Sequence, residues 1–102
     1  MNVIVESRRA AVAELCQRLG VTRLELFGSA ARADFDAARS DIDFLVEFDD
    51  DPRYPVLQTF FGLKEALEAL FERPVDLVSV NAVENPYIRA SIDSSRQLVY
   101  AA

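Results

Sequence analysis

Three short stretches of this sequence carry side chains able to do chemistry: Gly28-Ser29, Ser40-Asp41-Ile42-Asp43 and Val75-Asp76-Leu77-Val78. A glycine directly after an apolar run lets the backbone bend and approach a ligand closely. Backbone N–H groups at the start of a following helix, with the Ser29 hydroxyl, suit the outer phosphates of a nucleotide. Asp41 and Asp43 stand at i, i+2, so in a strand both carboxylates leave the same face. Mg2+ takes carboxylate and phosphate oxygens. Two such ions about 4 Å apart activate an attacking oxygen and stabilise a leaving one. Asp76 is a third carboxylate, set in an apolar run where burial without a partner is costly. A shared metal ion removes that cost. Each stretch has a bland alternative: a plain turn, a solvated edge strand, a carboxylate paired with an arginine. Aspartate is depleted in strands, however, and the three stretches together fit a nucleoside triphosphate held with two Mg2+ ions. That combination implies nucleotidyl transfer.

The rest of the composition narrows the chemistry. There is no histidine, which removes the commonest general base and zinc ligand. The single cysteine, Cys16, excludes an internal disulfide and a cysteine metal cluster. Catalysis must therefore use carboxylates. The formal charge is −6, with one lysine, Lys64, and scattered arginines. A phosphate-binding nucleic-acid surface needs a basic stripe, so the charge favours a small molecule or a protein partner and no direct nucleic acid. No apolar run approaches the roughly 20 residues that cross a membrane, and no basic segment precedes an apolar stretch at the N-terminus. The expectation is a cytoplasmic chain with no membrane contact. Its 102 residues suit one domain spanning 1–102.

These side chains must be positioned by a pattern that alternates helix and strand. Residues 4–19 have a helical apolar spacing at Val5, Val12, Leu15 and Leu19, closed by Gly20. Val21 to Phe27 reads as the first strand and runs into Gly28-Ser29, with a short helix or turn over Ala30 to Ala33 and a loop over Asp34 to Arg39. Asp41 to Phe48 is the clearest strand. Ile42, Phe44, Val46 and Phe48 share the face that needs a helix layer, and Asp41, Asp43, Leu45 and Glu47 share the other. The acidic run Asp49-Asp50-Asp51-Pro52 reads as a solvated turn. Pro55 opens a helix to about Phe71, striped by Val56, Phe60, Leu63, Leu67 and Leu70. Gly62 marks close packing on it. Val75 to Val80 is the third strand, Asn85-Pro86 starts a helix to about Ser94, and Gln97 to Tyr100 forms a final edge strand. The fold class is mixed α+β: a sheet of about four strands with helices on one face.

The motifs Leu26-Phe27-Gly28-Ser29-Ala30-Ala31-Arg32, Ser40-Asp41-Ile42-Asp43-Phe44-Leu45-Val46 and Val75-Asp76-Leu77-Val78 resemble the minimal nucleotidyltransferase (MNT) family of the DNA polymerase beta nucleotidyltransferase superfamily. The resemblance runs through nearly the whole chain, including Asn85-Pro86-Tyr87, and departs at Ala33, where many members carry glycine. It implies a small nucleotidyltransferase fold. It implies that Gly28, Ser29, Arg32 and Ser40 serve the nucleotide, that Asp41, Asp43 and Asp76 are catalytic, and that these three aspartates hold Mg2+. It implies ATP as substrate, with attack on the α-phosphorus and loss of pyrophosphate. Arg32 has a structural salt bridge as its alternative role.

Larger members of the superfamily recognise the acceptor with a second domain, for which a single-domain reading of 1–102 leaves no sequence. The resemblance therefore implies a partner: a HEPN-domain ribonuclease toxin, with this chain as the antitoxin that adenylylates one of its tyrosines. Two alternatives stay open. One is a small-molecule nucleotidyltransferase completed by a partner subunit, and the other is a non-catalytic antitoxin that binds and blocks its toxin. A homo-oligomer is also left open by the edge at Gln97 to Tyr100 and by Phe60, Phe61 and Tyr87, although core packing is the default for each.

Overall fold

The computed structural model of the chain describes residues 3–31, 41–49, 56–80 and 96–102. In chain order they form α1 (Val3–Ser7), α2 (Arg9–Arg18), β1 (Val21–Phe27), a 3-10 turn (Gly28–Ala31), β2 (Ile42–Phe48), α3 (Val56–Phe71), β3 (Val75–Ser79) and β4 (Gln97–Ala101). The strands make one mixed sheet in the order β3-β2-β1-β4. Adjacent β1 and β2 pair antiparallel, as do β1 and β4, whereas β2 and β3 run parallel with α3 as the crossover between them.

One sheet face is apolar and carries the helices. Leu24 and Leu26 of β1, Ile42, Phe44 and Val46 of β2, Val75 and Leu77 of β3 and Val99 of β4 are all buried there. They pack with Val5, Val12 and Cys16 from the N-terminal helices and Leu63, Leu67 and Phe71 from α3. The Phe44 and Phe71 rings meet at 6.0 Å between centroids. A mixed sheet with one helix-covered face is the architecture expected from the alternation of strand and helix patterns. No helix among the described residues is long and apolar enough to cross a membrane.

Four expectations need correction or refinement. The first helix is not continuous. Ser7 donates its hydroxyl to the Ile4 carbonyl at 2.8 Å, and the Arg8 N–H turns to Val5 at 3.1 Å, so Arg8 (φ −113°, ψ 10°) separates α1 from α2. Such side-chain competition for backbone acceptors is how serine interrupts a helix. The buried residue of the last turn of α2 is Cys16, with Leu15 and Leu19 packed at its margin. Burial pushes the Cys16 thiol up to about 12, so it serves as a small apolar side chain. On α3 the buried stripe runs through Thr59, Leu63, Leu67 and Phe71, with Phe60 and Leu70 flanking it. Phe61 points outward, 51% exposed, its ring edge-on to Phe60 at 5.5 Å. Gly62 does not mark close packing: a Cβ built there meets nothing within 4 Å.

α3 ends on an unusual backbone conformation. Glu72 follows Phe71 with φ 53°, a left-handed position that glycine normally fills. The Glu68 carboxylate then accepts the Val75 N–H at 3.2 Å, which anchors the entry to β3. Pro55, the acidic run beyond Asp49, the loop over Asp34 to Arg39 and the helix from Asn85-Pro86 lie outside the described residues, as does Tyr87.

The open space at Gly62 has a measurable consequence. Gly62→Ala should stabilise the chain by about 0.5–1 kcal/mol, since a helix-interior glycine costs that much relative to alanine. The check is a higher urea midpoint at unchanged m value. A lower midpoint would show that the bare face of α3 is needed for packing.

Candidate active site

The pleat of β2 separates its core residues from its carboxylates. Ile42 and Phe44 point into the helix layer, so Asp43 between them leaves the opposite, open face. Asp76 lies between buried Val75 and Leu77 and leaves the same face. The parallel register pairs Asp43 directly with Asp76. Strand neighbours lie about 4.8 Å apart, so two carboxylates 33 residues apart in sequence become adjacent. Asp76 is solvent-exposed rather than buried, which removes the burial cost that its apolar neighbours suggested. Asp41 is exposed one residue before β2, where the Ile42 N–H reaches the Pro74 carbonyl at 3.3 Å.

On the other side, antiparallel pairing sets Phe27 opposite Asp43, and the chain turns immediately afterwards at Gly28. Gly28 has φ +70°, and a Cβ at this position would overlap the Asp43 carboxylate. The glycine is therefore required twice, by its dihedral and by the space that the carboxylate occupies. Ser29 lies within the 3-10 turn, while its side chain, Arg32, Ala33 and Ser40 are outside the described residues.

Among the described residues no three His, Cys, Asp or Glu side chains converge closely enough to hold a metal ion by themselves. The donor set nevertheless fits Mg2+. This cation is ordinarily held by one or two carboxylates together with substrate phosphates and water, not by an all-protein cage. Adjacent Asp43 and Asp76, with the cradle left by the missing Gly28 side chain, are such an incomplete set.

One buried carboxylate was not foreseen. Glu25 lies between core residues Leu24 and Leu26 and is only 3% exposed, on the same open face as Asp43. Arg96 donates Nε–H to Oε2 at 2.5 Å and Nη2–H to Oε1 at 2.6 Å. Arg23 donates Nε–H to Oε1 at 2.6 Å. The Arg96 hydrogen bonds, helped by Arg23 and opposed by burial, hold the Glu25 carboxyl at about 2. A signal was present in the sequence, because an acid flanked by leucines in a strand demands a partner. The partner itself, Arg96, is 71 residues away and invisible to local pattern.

Comparison with known proteins gives the geometry a context. A family model described as "Nucleotidyltransferase domain" matches residues 8–99. A Methanocaldococcus jannaschii protein provisionally named protein adenylyltransferase MJ1379 is 39% identical over 80 residues, covering 78% of this chain and 76% of its own length. A solved structure described provisionally as a minimal nucleotidyltransferase superposes with TM-score 0.73 at 35% identity, covering 91% of this chain and 90% of that one. The MNT antitoxin fold is also similar, in a complex with a tri-AMPylated Shewanella oneidensis HEPN toxin, at TM-score 0.65 and 17% identity, covering 96% of this chain and 73% of that one.

The Glu25 cluster sets an acid limit on stability. Its folded pKa lies below the unfolded value of 4.5, so its contribution is complete above about pH 4.5 and disappears as the pH falls towards 2. That contribution is at most roughly 3 kcal/mol from the size of the shift. Urea unfolding of wild type and Glu25→Gln should differ most at neutral pH and converge by about pH 2; equal pH profiles would exclude the ion pair as their source. For Gly28→Ala we expect a loss of about 1–2 kcal/mol from the left-handed dihedral and the displaced Asp43. Wild-type stability in this variant, measured by thermal melting, would contradict the close approach.

Proposed function

Since this chain belongs to the nucleotidyltransferase domain family, we propose that it transfers AMP from Mg2+-ATP to a hydroxyl of a partner protein, a tyrosine of a HEPN ribonuclease toxin that it thereby silences. The observation that carries the reading is the Asp43–Asp76 register on the open face beside Gly28. Relatives named as protein adenylyltransferases support a protein acceptor. The toxin and its tyrosine rest on fold-level likeness to the Shewanella oneidensis antitoxin and on the family resemblance of the motifs.

In this mechanism the Gly28–Ala31 turn receives the triphosphate through backbone N–H groups, with Ser29, Arg32 and Ser40 as further nucleotide contacts. Asp41, Asp43 and Asp76 would hold Mg2+. When bound, the metal supplies charge neutralisation for the phosphates and a lowered pKa for a coordinated hydroxyl. Asp76, exposed at the edge strand, faces the side from which an acceptor arrives and helps take its proton. The acceptor oxygen forms a bond to the α-phosphorus, the bond from that phosphorus to the bridging oxygen breaks, and pyrophosphate leaves. The protein's contribution is placement and electrostatic complementarity, which is sufficient for phosphoryl-type transfer.

The experiment is incubation of the full chain with its HEPN partner and α-labelled ATP. Label should appear on the toxin and fall at least about 100-fold with Asp43→Asn or Asp76→Asn, the scale of losing a charge-stabilising group in a transfer site. No label on the toxin with wild type overturns the protein-acceptor reading. Full neutralisation of the toxin by an Asp43→Asn/Asp76→Asn variant would mean that binding alone silences it.

A further inference from the structure

We infer that Gln97 is a positioning residue: bonded to the Gly28–Ala31 turn from the core side of the sheet, it keeps Gly28 closed against Asp43 and so fixes that carboxylate for a metal-bound nucleoside triphosphate. The inference deepens the nucleotidyl-transfer reading above and rests on it. Neither the three aspartate motifs nor the strand pattern assigns the Gln97 side chain a role.

Gln97 brackets the turn. It opens β4 as the register partner of Leu26, which stands two residues before Gly28. Its side-chain Nε2–H donates to the Ala31 carbonyl at 3.3 Å, at the last residue of the turn. One residue thus holds the chain on both sides of the bend. Leu26 is buried in the core, and directly opposed residues of an antiparallel pair share a face, so the Gln97 amide lies on the core side of the sheet. Ala31 packs against that core as well. Gly28, at the start of the turn, lies so close to the Asp43 carboxylate that a Cβ has no room. The turn therefore passes from the aspartate face to the core side, and Gln97 fastens its far end.

The amide is committed to this one contact. A carbonyl only accepts, so the NH2 end of the side chain must face Ala31. That leaves Oε1, which is buried with no hydrogen-bond partner among the described residues. A buried acceptor left unpaired is costly. The neighbours on the same face, Leu26 and Val99, show that apolar side chains fill this part of the sheet. A residue there for packing alone would be apolar too, and the donor is what glutamine adds. That donor holds the end of a turn whose beginning abuts Asp43. Placement at this point matters, because reacting groups displaced by about 1 Å lose on the order of 100-fold in rate.

The test uses the full chain and two probes, Mg2+-AMP-PNP and metal-free AMP, in calorimetric titrations, with the unliganded melting temperature of each variant as the check on folding. Gln97→Met is close in size and lacks the donor. It should weaken Mg2+-AMP-PNP about five-fold, the scale of one neutral hydrogen bond, and AMP less than about two-fold. Its melting temperature should stay within about 4 °C of wild type, because the unpaired Oε1 is removed together with the donor. Gln97→Asn keeps the amide on a shorter stem that does not reach Ala31. It should lose the same affinity, and it carries the test if Gln97→Met fails to fold. Equal losses for the two probes, or losses accompanied by a larger fall in melting temperature, would reduce Gln97 to a structural residue and overturn the inference. Failure of wild type itself to bind Mg2+-AMP-PNP would remove the transfer reading and this inference with it, whereas binding by wild type with unaffected variants removes this inference alone.

Discussion

Everything in this molecule depends on the register of β2 against its two neighbours. That strand buries Ile42, Phe44 and Val46 completely, which pins its orientation, because a slip of one residue would exchange core and open faces. With orientation fixed, Asp43 has no freedom over which side it serves. The antiparallel partner brings Phe27 and the Gly28 turn to one flank of Asp43, and the parallel partner brings Asp76 to the other. A parallel neighbour needs a long crossover, and α3 provides it while its Leu63, Leu67 and Phe71 cover the apolar face. The helix that makes the register geometrically attainable is thus the one that makes it energetically favourable.

The open face is organised by charge rather than by apolar area. Its end row runs from Phe27 through Asp43 to Asp76, and its next row from Leu98 through Glu25 and Leu45 to Val78. Leu45 is buried on this face and Leu98 half-exposed, so the second row is partly apolar with one carboxylate sunk in it. That carboxylate stays ionised because two guanidiniums share it. The carboxylates of the first row, Asp43 and Asp76, are register partners of each other. The two rows therefore differ in kind: one sinks a carboxylate among apolar side chains with two arginines on it, the other sets two carboxylates side by side at the end of the strands.

Regular alternation made the strands legible before any coordinates. Val21 to Phe27 is read with its true limits, β2 differs only at Asp41, and the core face of β2 follows from period two alone. The three aspartates and Gly28 are legible for the same reason, since each sits at a fixed offset within or beside such a strand. What escaped depends on partners distant in sequence. Arg96 finds Glu25 only because β4 pairs with β1 across a register shift between Leu24 and Glu25. The break at Arg8 arises from one serine hydroxyl taking one carbonyl, which no apolar spacing reveals. Gly62 misled because glycine in a helix marks either contact or its absence, and only the empty space around it decides.

A site left incomplete by design also explains why Gly28 cannot be traded for a better helix or turn former. The left-handed turn costs conformational entropy in a residue with no side chain to pack. A chain selected for stability alone would place asparagine or a longer loop there. An asparagine there would push its Cβ into the Asp43 carboxylate. Bare backbone at this one residue therefore leaves the space that the Asp43 carboxylate occupies beside Asp76. Like charges placed side by side repel, and in the proposed transfer phosphate oxygens and Mg2+ would offset that repulsion. The sheet supplies the stability that such a pair consumes, and the fully apolar helix-side face of β2 is where it comes from.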